Sequence, residues 1–343
     1  MKALVLEEYN QFALKDVPKP EPKRDEVLIQ VKACGICGSD VHGMDGSTGR
    51  RIPPVIMGHE ASGVIESVGT EVAGWQVGDR VTFDSTIYKL DDWYTRKGLY
   101  NLSDNRQVLG VSAQEFKKDG AFAEYVTVPS HILYKIPDNV SFEQAAMVEP
   151  VSVAAHAVSL TPIVLQDKAM VVGAGMIGQF IIQILRNTGV GMIIAVDIDD
   201  NKLEMAQRFG ADKTLNPKQD KVHEEIMSFT GNRGPDIALE AVGIQDTIIT
   251  SLENVRKGGT VTLVGNLAPK AEIPVQKIVT SQLRVQGSYA IAGEYPAVLE
   301  MIVQGKVNVE PMLSAVAPLE EGEAWLKRLH NNEPGLYKVI LKP

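Results

Sequence analysis

The chain has 343 residues, 44% hydrophobic and 22% charged, which suits two folded domains and excludes a disordered or low-complexity chain. A net charge of −9 argues against nucleic acid or an anionic membrane as a main partner. The only cysteines, Cys34 and Cys37, exclude a disulfide framework and fit a reducing, cytoplasmic setting.

The opening segment, MKALVLEEYNQF, lacks the apolar run and small-residue cleavage site of a signal peptide. No stretch approaches the roughly 18 uninterrupted apolar residues of a membrane span, so no membrane partner is expected. The first third is a series of short β-like runs, Ala3–Leu6, Glu26–Ala33, Ala61–Val68, Asp79–Phe83 and Phe122–Val128, broken by Gly, Pro and Asp. That grammar predicts an antiparallel, barrel-like β domain. Residues 84–111 are polar and weakly periodic, and read as a lobe. Phe142–Ala157 carries apolar residues at helical spacing, with a break expected at Pro150. From Lys168 strand and helix patterns alternate, which implies a parallel, doubly wound sheet. A helix over Pro296–Gln304 and a last strand, YKVILKP, follow, and the tail is expected to return to the first domain.

Two stretches carry chemistry. Between Lys32 and Glu60 lie Cys37, Ser39, His42, His59 and Glu60. A thiolate, an imidazole and a carboxylate are the donors a catalytic zinc takes while keeping one position open, and Ser39 adds a hydroxyl for proton relay. Asp40 is placed to accept the second N–H of His59. His42 reads equally as a solvent-facing imidazole. Cys34 reads as a buried small hydrophobe, because two cysteines cannot build a structural zinc knuckle. The second stretch is VVGAGMIG, in which Gly173, Gly175 and Gly178 form GxGxxG between a strand and a helix, with Met176 and Ile177 between them. The glycines allow the turn, the approach of a pyrophosphate and close helix–strand packing. Asp197 ends the next strand at about the 20-residue offset of a ribose-binding carboxylate. With Asp199 and Asp200 it should repel a 2′-phosphate, so NAD is expected over NADP.

These motifs, CGICGSDVH with GHEASGVIESVG and then VVGAGMIG with VDID, resemble those of the zinc-containing medium-chain dehydrogenases, in their order and over essentially the whole chain. The resemblance implies an α/β protein in two domains. A GroES-like β-rich catalytic domain would cover 1–152 and 287–343, and a Rossmann cofactor domain 153–286. It implies Cys37 and His59 as zinc ligands and Glu60 or Glu149 as the carboxylate ligand, both open. Ser39 would take the substrate proton, with His42 at the outer end of the relay. Lys202 would sit on the ribose side, and Val242, Val264 and Ser288 would line the cofactor pocket, though each also reads as packing or surface. A homodimer or homotetramer built near Val285–Tyr289 is implied as well.

The sequence departs from the family pattern in two places. Where many members carry four cysteines for a structural zinc, this chain has Lys89, Asp92, Thr95 and Ser103. One zinc per chain is therefore expected, with Lys89–Asp92 pairing or packing of Trp93 and Tyr94 supporting the lobe. Where sorbitol dehydrogenases carry an Arg-Tyr pair, this chain has Tyr289 and Ala290. Arg50 and Arg51 read as a solvated pair, with phosphate or carboxylate binding as the alternative. The expected activity is NAD-dependent interconversion of a secondary alcohol of a polyol or sugar alcohol, phosphorylated or not, and its ketone. The alternatives are a threonine- or butanediol-type enzyme on a small secondary alcohol, and a catalytically silent nucleotide sensor.

Overall fold

A computed structural model describes residues 1–111 and 118–343. The chain forms two compact units, Met1–Glu149 with Tyr295–Gln304 and Val309–Pro343, and Pro150–Glu294 with Gly305–Asn308.

The first unit is built on a sheet whose strands run, in spatial order, Leu133–Lys135, Arg80–Phe83, Glu60–Val68, Glu26–Gly35, Lys338–Lys342 and Leu313–Pro318. Tyr125–Pro129 also pairs with Glu26–Gly35. A three-stranded sheet of Lys2–Glu8, Gln11–Asp16 and Val55–Ile56 completes the β framework. Ile29, Ile65, Phe83, Phe122 and Leu341 share its buried core. The C-terminal strand does return to this unit, with Ile340 opposite Gly35 and Leu341 opposite Cys34. One register matters most for the site: Gly35, ending one strand, faces Glu60, beginning the next. That pairing sets the segment after Gly35 beside the residues just before Glu60.

Pro150 does not break the helical stretch. The break falls at Met147, between helices Phe142–Ala146 and Val148–Ser159. Pro150 is the third residue of the second helix, in the first turn, where a missing N–H leaves no intrahelical bond unmade.

The second unit holds a six-stranded, wholly parallel sheet. Its order is Lys213–Leu215, Met192–Val196, Lys168–Val172, Ile237–Glu240, Thr260–Leu263, Arg284–Gly287. The order reverses direction at Lys168–Val172, which is where open α/β sheets bind ligands beyond the strand ends. Met170, Ile194, Ala238 and Val261 make these central strands apolar, as strands covered on both faces must be. The unit continues beyond its last strand to Glu294, whose carboxylate bonds His156 Nδ1 at 2.7 Å.

Candidate functional site

Cys37 caps the N-terminus of the short helix Gly38–Val41. Its Sγ accepts the Ser39 N–H at 3.4 Å, while its own N–H donates to Asp40 Oδ2 at 3.2 Å. His59 and Glu60 arrive from the turn at Gly58, a glycine by necessity. Its φ is +94°, and a Cβ there would stand 2.5 Å from the Phe122 ring and 2.9 Å from Cys34 Sγ. Helix cap and strand start together bring one donor atom each from Cys37, His59 and Glu60 within 4.8 Å of one another. Among the described residues this is the group of metal-capable side chains that converges.

The surroundings fit a cation. Glu60 is fully buried and its Oε1 has no hydrogen-bond partner. A buried carboxylate oxygen left unpaired is costly, and a divalent ion is the partner that removes that cost. Sulfur, nitrogen and oxygen donors together match zinc. His59 Nε2 lies 3.4 Å from Ser39 Oγ, and its Nδ1 lies 3.5 Å from Asp40 Oδ1, an arrangement that fixes the ring. Burial works against a charge on His59, but the Asp40 carboxylate and Cys37 together carry its pKa well above the ordinary imidazole value. Metal entry would have to displace that proton.

Glu149 stands outside the trio. It is the second residue of helix Val148–Ser159 and is half-buried as a residue. Desolvation of its carboxyl, then the charge of Glu60, push its pKa up to about 8. Ser39 is half-buried beside His59, whereas His42, three residues on, is exposed.

Sequence reasoning missed two buried cations. Arg51 belongs to no solvated loop: it is 2% exposed, and its Nη2 donates to Asp40 Oδ1 at 2.9 Å and to Ser39 Oγ at 3.2 Å. Burial raises the Asp40 pKa, but His59 and Arg51 outweigh it and hold the carboxyl well below its usual range. Lys338 is 0% exposed and bonds Glu60 Oε2 and the Ile36 carbonyl. No local signal marked Lys338, because its strand, Lys338–Lys342, carries a lysine at each end and only the first is buried. Cys34 is a buried free thiol whose pKa burial raises, an inert packing residue.

Among the described residues the lobe at 84–111 holds no such cluster. Asp92 stands at one of the four positions expected to have lost a cysteine, and backbone donors engage both of its oxygens. Its Oδ1 accepts the N–H groups of Tyr94 at 2.9 Å and Thr95 at 3.2 Å, and its Oδ2 that of Asp104 at 3.2 Å. No Lys89–Asp92 ion pair forms among the described residues; Asp92 lies in a turn, and its own N–H reaches the Lys89 carbonyl at 3.3 Å. Trp93 packs edge-on against Tyr94, with the Lys97 ammonium 4.5 Å from its ring centroid.

In the second unit, Gly173 has φ +94°, and a Cβ on Gly178 would lie 1.9 Å from the Gly173 carbonyl oxygen. A Cβ on Gly175 would meet nothing within 4 Å, so backbone there lies open to a ligand. Gly175 also caps helix Met176–Arg186 without a side-chain bond, leaving N–H groups and the positive helix end for phosphates. Met176 and Ile177 form its half-buried first turn. Asp197 is anchored at its strand end, accepting from Ala174 N–H at 2.7 Å and Asp199 N–H at 3.0 Å. Lys202 is half-buried, and its carbonyl accepts from Gln179 at 2.8 Å. The Val242 and Val264 N–H groups both bond Glu240, at 2.9 and 2.8 Å. Ser288 Oγ is buried with no hydrogen-bond partner.

Comparison with known proteins shows the family. Residues 23–138 match the alcohol dehydrogenase GroES-like domain, and residues 177–304 match the zinc-binding dehydrogenase family. Sorbitol dehydrogenase of Bacillus subtilis is 32% identical, covering 100% of this chain and 97% of its own length. The chain belongs to the zinc-binding alcohol dehydrogenase family. Alcohol dehydrogenase TADH from Thermus sp. ATN1 superposes with a TM-score of 0.94 at 32% identity, covering 100% of this chain and 99% of the other. Galactitol-1-phosphate dehydrogenase from Escherichia coli does so with a TM-score of 0.92 at 27% identity and full coverage of both. As a member of this family the chain is an α/β oxidoreductase with a GroES-like domain and a Rossmann-like parallel sheet.

Proposed function

We propose that this family member interconverts a secondary alcohol of a polyol or sugar alcohol with its ketone, using NAD and one zinc. The observation that carries the reading is the trio Cys37, His59 and Glu60, with a buried carboxylate oxygen lacking a partner, set beside the Ser39 hydroxyl. Cys37, His59 and Glu60 would hold the zinc, with Glu149 close enough to sense the Glu60 charge. Bound there, zinc supplies Lewis acidity toward the substrate oxygen, and the nicotinamide supplies the hydride acceptor.

The chain's own residues position and move the proton. Arg51 donates to Ser39 Oγ, which leaves that oxygen a second lone pair for the substrate hydroxyl proton. The Ser39 O–H then donates outward, toward the side where His42 stands exposed. Asp40 ties Cys37, His59 and Arg51 into one buried network, so Ser39 and the metal donors keep a fixed relation. In the cofactor unit, Gly173, Gly175, Met176, Ile177 and Gly178 would cradle the pyrophosphate. Asp197 would accept from the ribose hydroxyls, and its fixed negative charge favours NAD over NADP. Lys202, Val242, Val264 and Ser288 would line the rest of the pocket.

Polyol substrates are supported by the sorbitol and galactitol-1-phosphate dehydrogenases among the relatives. Tyr289 and Ala290, in place of an Arg-Tyr pair, favour a second reading: a small secondary alcohol of the threonine or butanediol type. A zinc-loaded, NAD-coupled screen over polyols, their phosphates, secondary alcohols and threonine separates the two. Turnover on none of them would overturn both and favour a nucleotide sensor. A homodimer or homotetramer, formed along the open strand Arg284–Gly287, is supported by Val285 and Tyr289, 37% and 41% exposed. Light scattering on the eluting protein tests it. Two unpaired cysteines support a cytoplasmic setting. Among the described residues no helix is long and apolar enough to cross a membrane.

A further inference from the structure

Glu60 is not held by the metal trio alone. Its Oε2 accepts from Lys338, and both residues are 0% exposed. The pair has dedicated space. Gly35 faces Glu60 across the sheet, and a Cβ on Gly35 would lie 2.4 Å from Glu60 Oε2. On the other side of Gly35, the C-terminal strand pairs through Ile340, two residues beyond Lys338. A further bond from Lys338 Nζ to the Ile36 carbonyl, at 2.9 Å, fixes the ammonium in place. Glu60 Oε1 is the oxygen that remains buried and unpartnered.

Without a cation the Lys338 ammonium balances the Glu60 carboxylate. A thiolate at Cys37 and a carboxylate at Glu60 together neutralise a divalent ion. Lys338 would then remain as an additional positive charge beside the metal, with Glu149 as the other carboxyl that acts on it. A lysine that only filled space would be an expensive choice for a fully buried position.

We propose that Lys338 is a positioning residue of the metal site. Before a divalent cation enters, it is the counter-ion of Glu60 and aims Oε1 at Cys37 and His59. After entry it stays as a fixed positive charge, restrains Glu60 to one oxygen, and limits how completely the carboxylate neutralises the metal. The inference rests on the zinc reading given above.

The test compares the full chain with Lys338→Met and with the double variant Lys338→Met/Glu60→Gln, each with and without zinc. Without zinc, Lys338→Met should melt about 10 °C below wild type, because Glu60 is left buried and unpaired. Zinc should remove most of that difference, so its stabilising shift is larger in the variant than in wild type. Zinc should also leave Lys338→Met for a chelator roughly tenfold more slowly, a nearby like charge having been removed. The double variant, with both charges gone, should recover the metal-free melting temperature. An equal loss of stability with and without zinc would overturn the inference and make Lys338 a packing residue. Faster zinc loss from Lys338→Met would overturn it too, as would a double variant that stays destabilised. A wild-type chain that takes up no zinc would instead overturn the reading of the site, and this inference with it.

Discussion

At the trio Cys37, His59 and Glu60, one buried polar atom is left over: Glu60 Oε1 has no hydrogen-bond partner. At the lobe, Asp92 spends both carboxylate oxygens on the backbone N–H groups of Tyr94, Thr95 and Asp104. The lobe holds the positions where many family members carry a structural zinc and this chain has lost the cysteines, and both places contain a carboxylate. They differ in whether local donors engage both oxygens of that carboxylate. In the lobe the backbone supplies the cross-link, and one side chain ties the turn at 92–95 to the strand of chain at 103–104. In the trio the backbone supplies none to Oε1, and the remaining capacity points to a cation. A carboxylate in each place thus serves as a structural staple in one and as part of a candidate ligand set in the other.

The largest break in that contrast should come from His59→Ala. It removes the imidazole from the trio, and kcat/KM should fall by about 10³-fold or more as the metal's contribution goes. Steady-state kinetics with zinc in the assay checks it. If the lobe were the site of chemistry, the loss would be small. Next in size is Asp40→Asn, which keeps the shape but weakens the hold on His59 and Arg51. Competition with a chelator should show zinc affinity reduced about 10- to 100-fold. Asp92→Ala should sharpen the contrast from the other side. Zinc content should be unchanged and kcat should stay within about twofold, since among the described residues Asp92 and the trio share no hydrogen-bond or ion-pair partner. Amide exchange at Tyr94, Thr95 and Asp104 should quicken.

The smallest effect is in pH. Burial would raise the Asp92 pKa, but the N–H groups of Thr95, Asp104 and Tyr94 outweigh it and hold it below the ordinary 3.8. A carboxyl whose folded pKa is depressed contributes stability that is present above its unfolded value and lost as pH falls through the folded one. Protection of the same three amides should therefore be intact above about pH 4 and decline below it. Asp92→Asn should flatten that decline.

Much of this was legible in the sequence. Alternating apolar runs gave the β-rich first unit, and the strand–GxGxxG–helix order gave the parallel sheet, because both depend on local periodicity. Cys37 and His59 were legible from the motifs around them, with Glu60 and Glu149 both open as the carboxylate, and the pairing of Gly35 opposite Glu60 is what brings Glu60 to them. What stayed hidden depends on contacts distant in the chain or on detailed position within a turn. Lys338 reaches Glu60 across 278 residues, and no local pattern announces such a partner. Arg51 looked like one of two loop arginines until its pairing with Asp40 showed it buried. Asp92 looked like half of an ion pair, yet turn geometry gave its carboxylate to backbone donors. Pro150 looked like a helix breaker, and its place in a first turn made it harmless.

The most direct measurement is the zinc content of the purified full-length chain, set beside that of Cys37→Ala. One zinc per wild-type chain, and none in the variant, is the predicted result. Two zincs per wild-type chain, or one retained without the Cys37 thiolate, would contradict the assignment of the metal to the trio and of the lobe to hydrogen bonds alone.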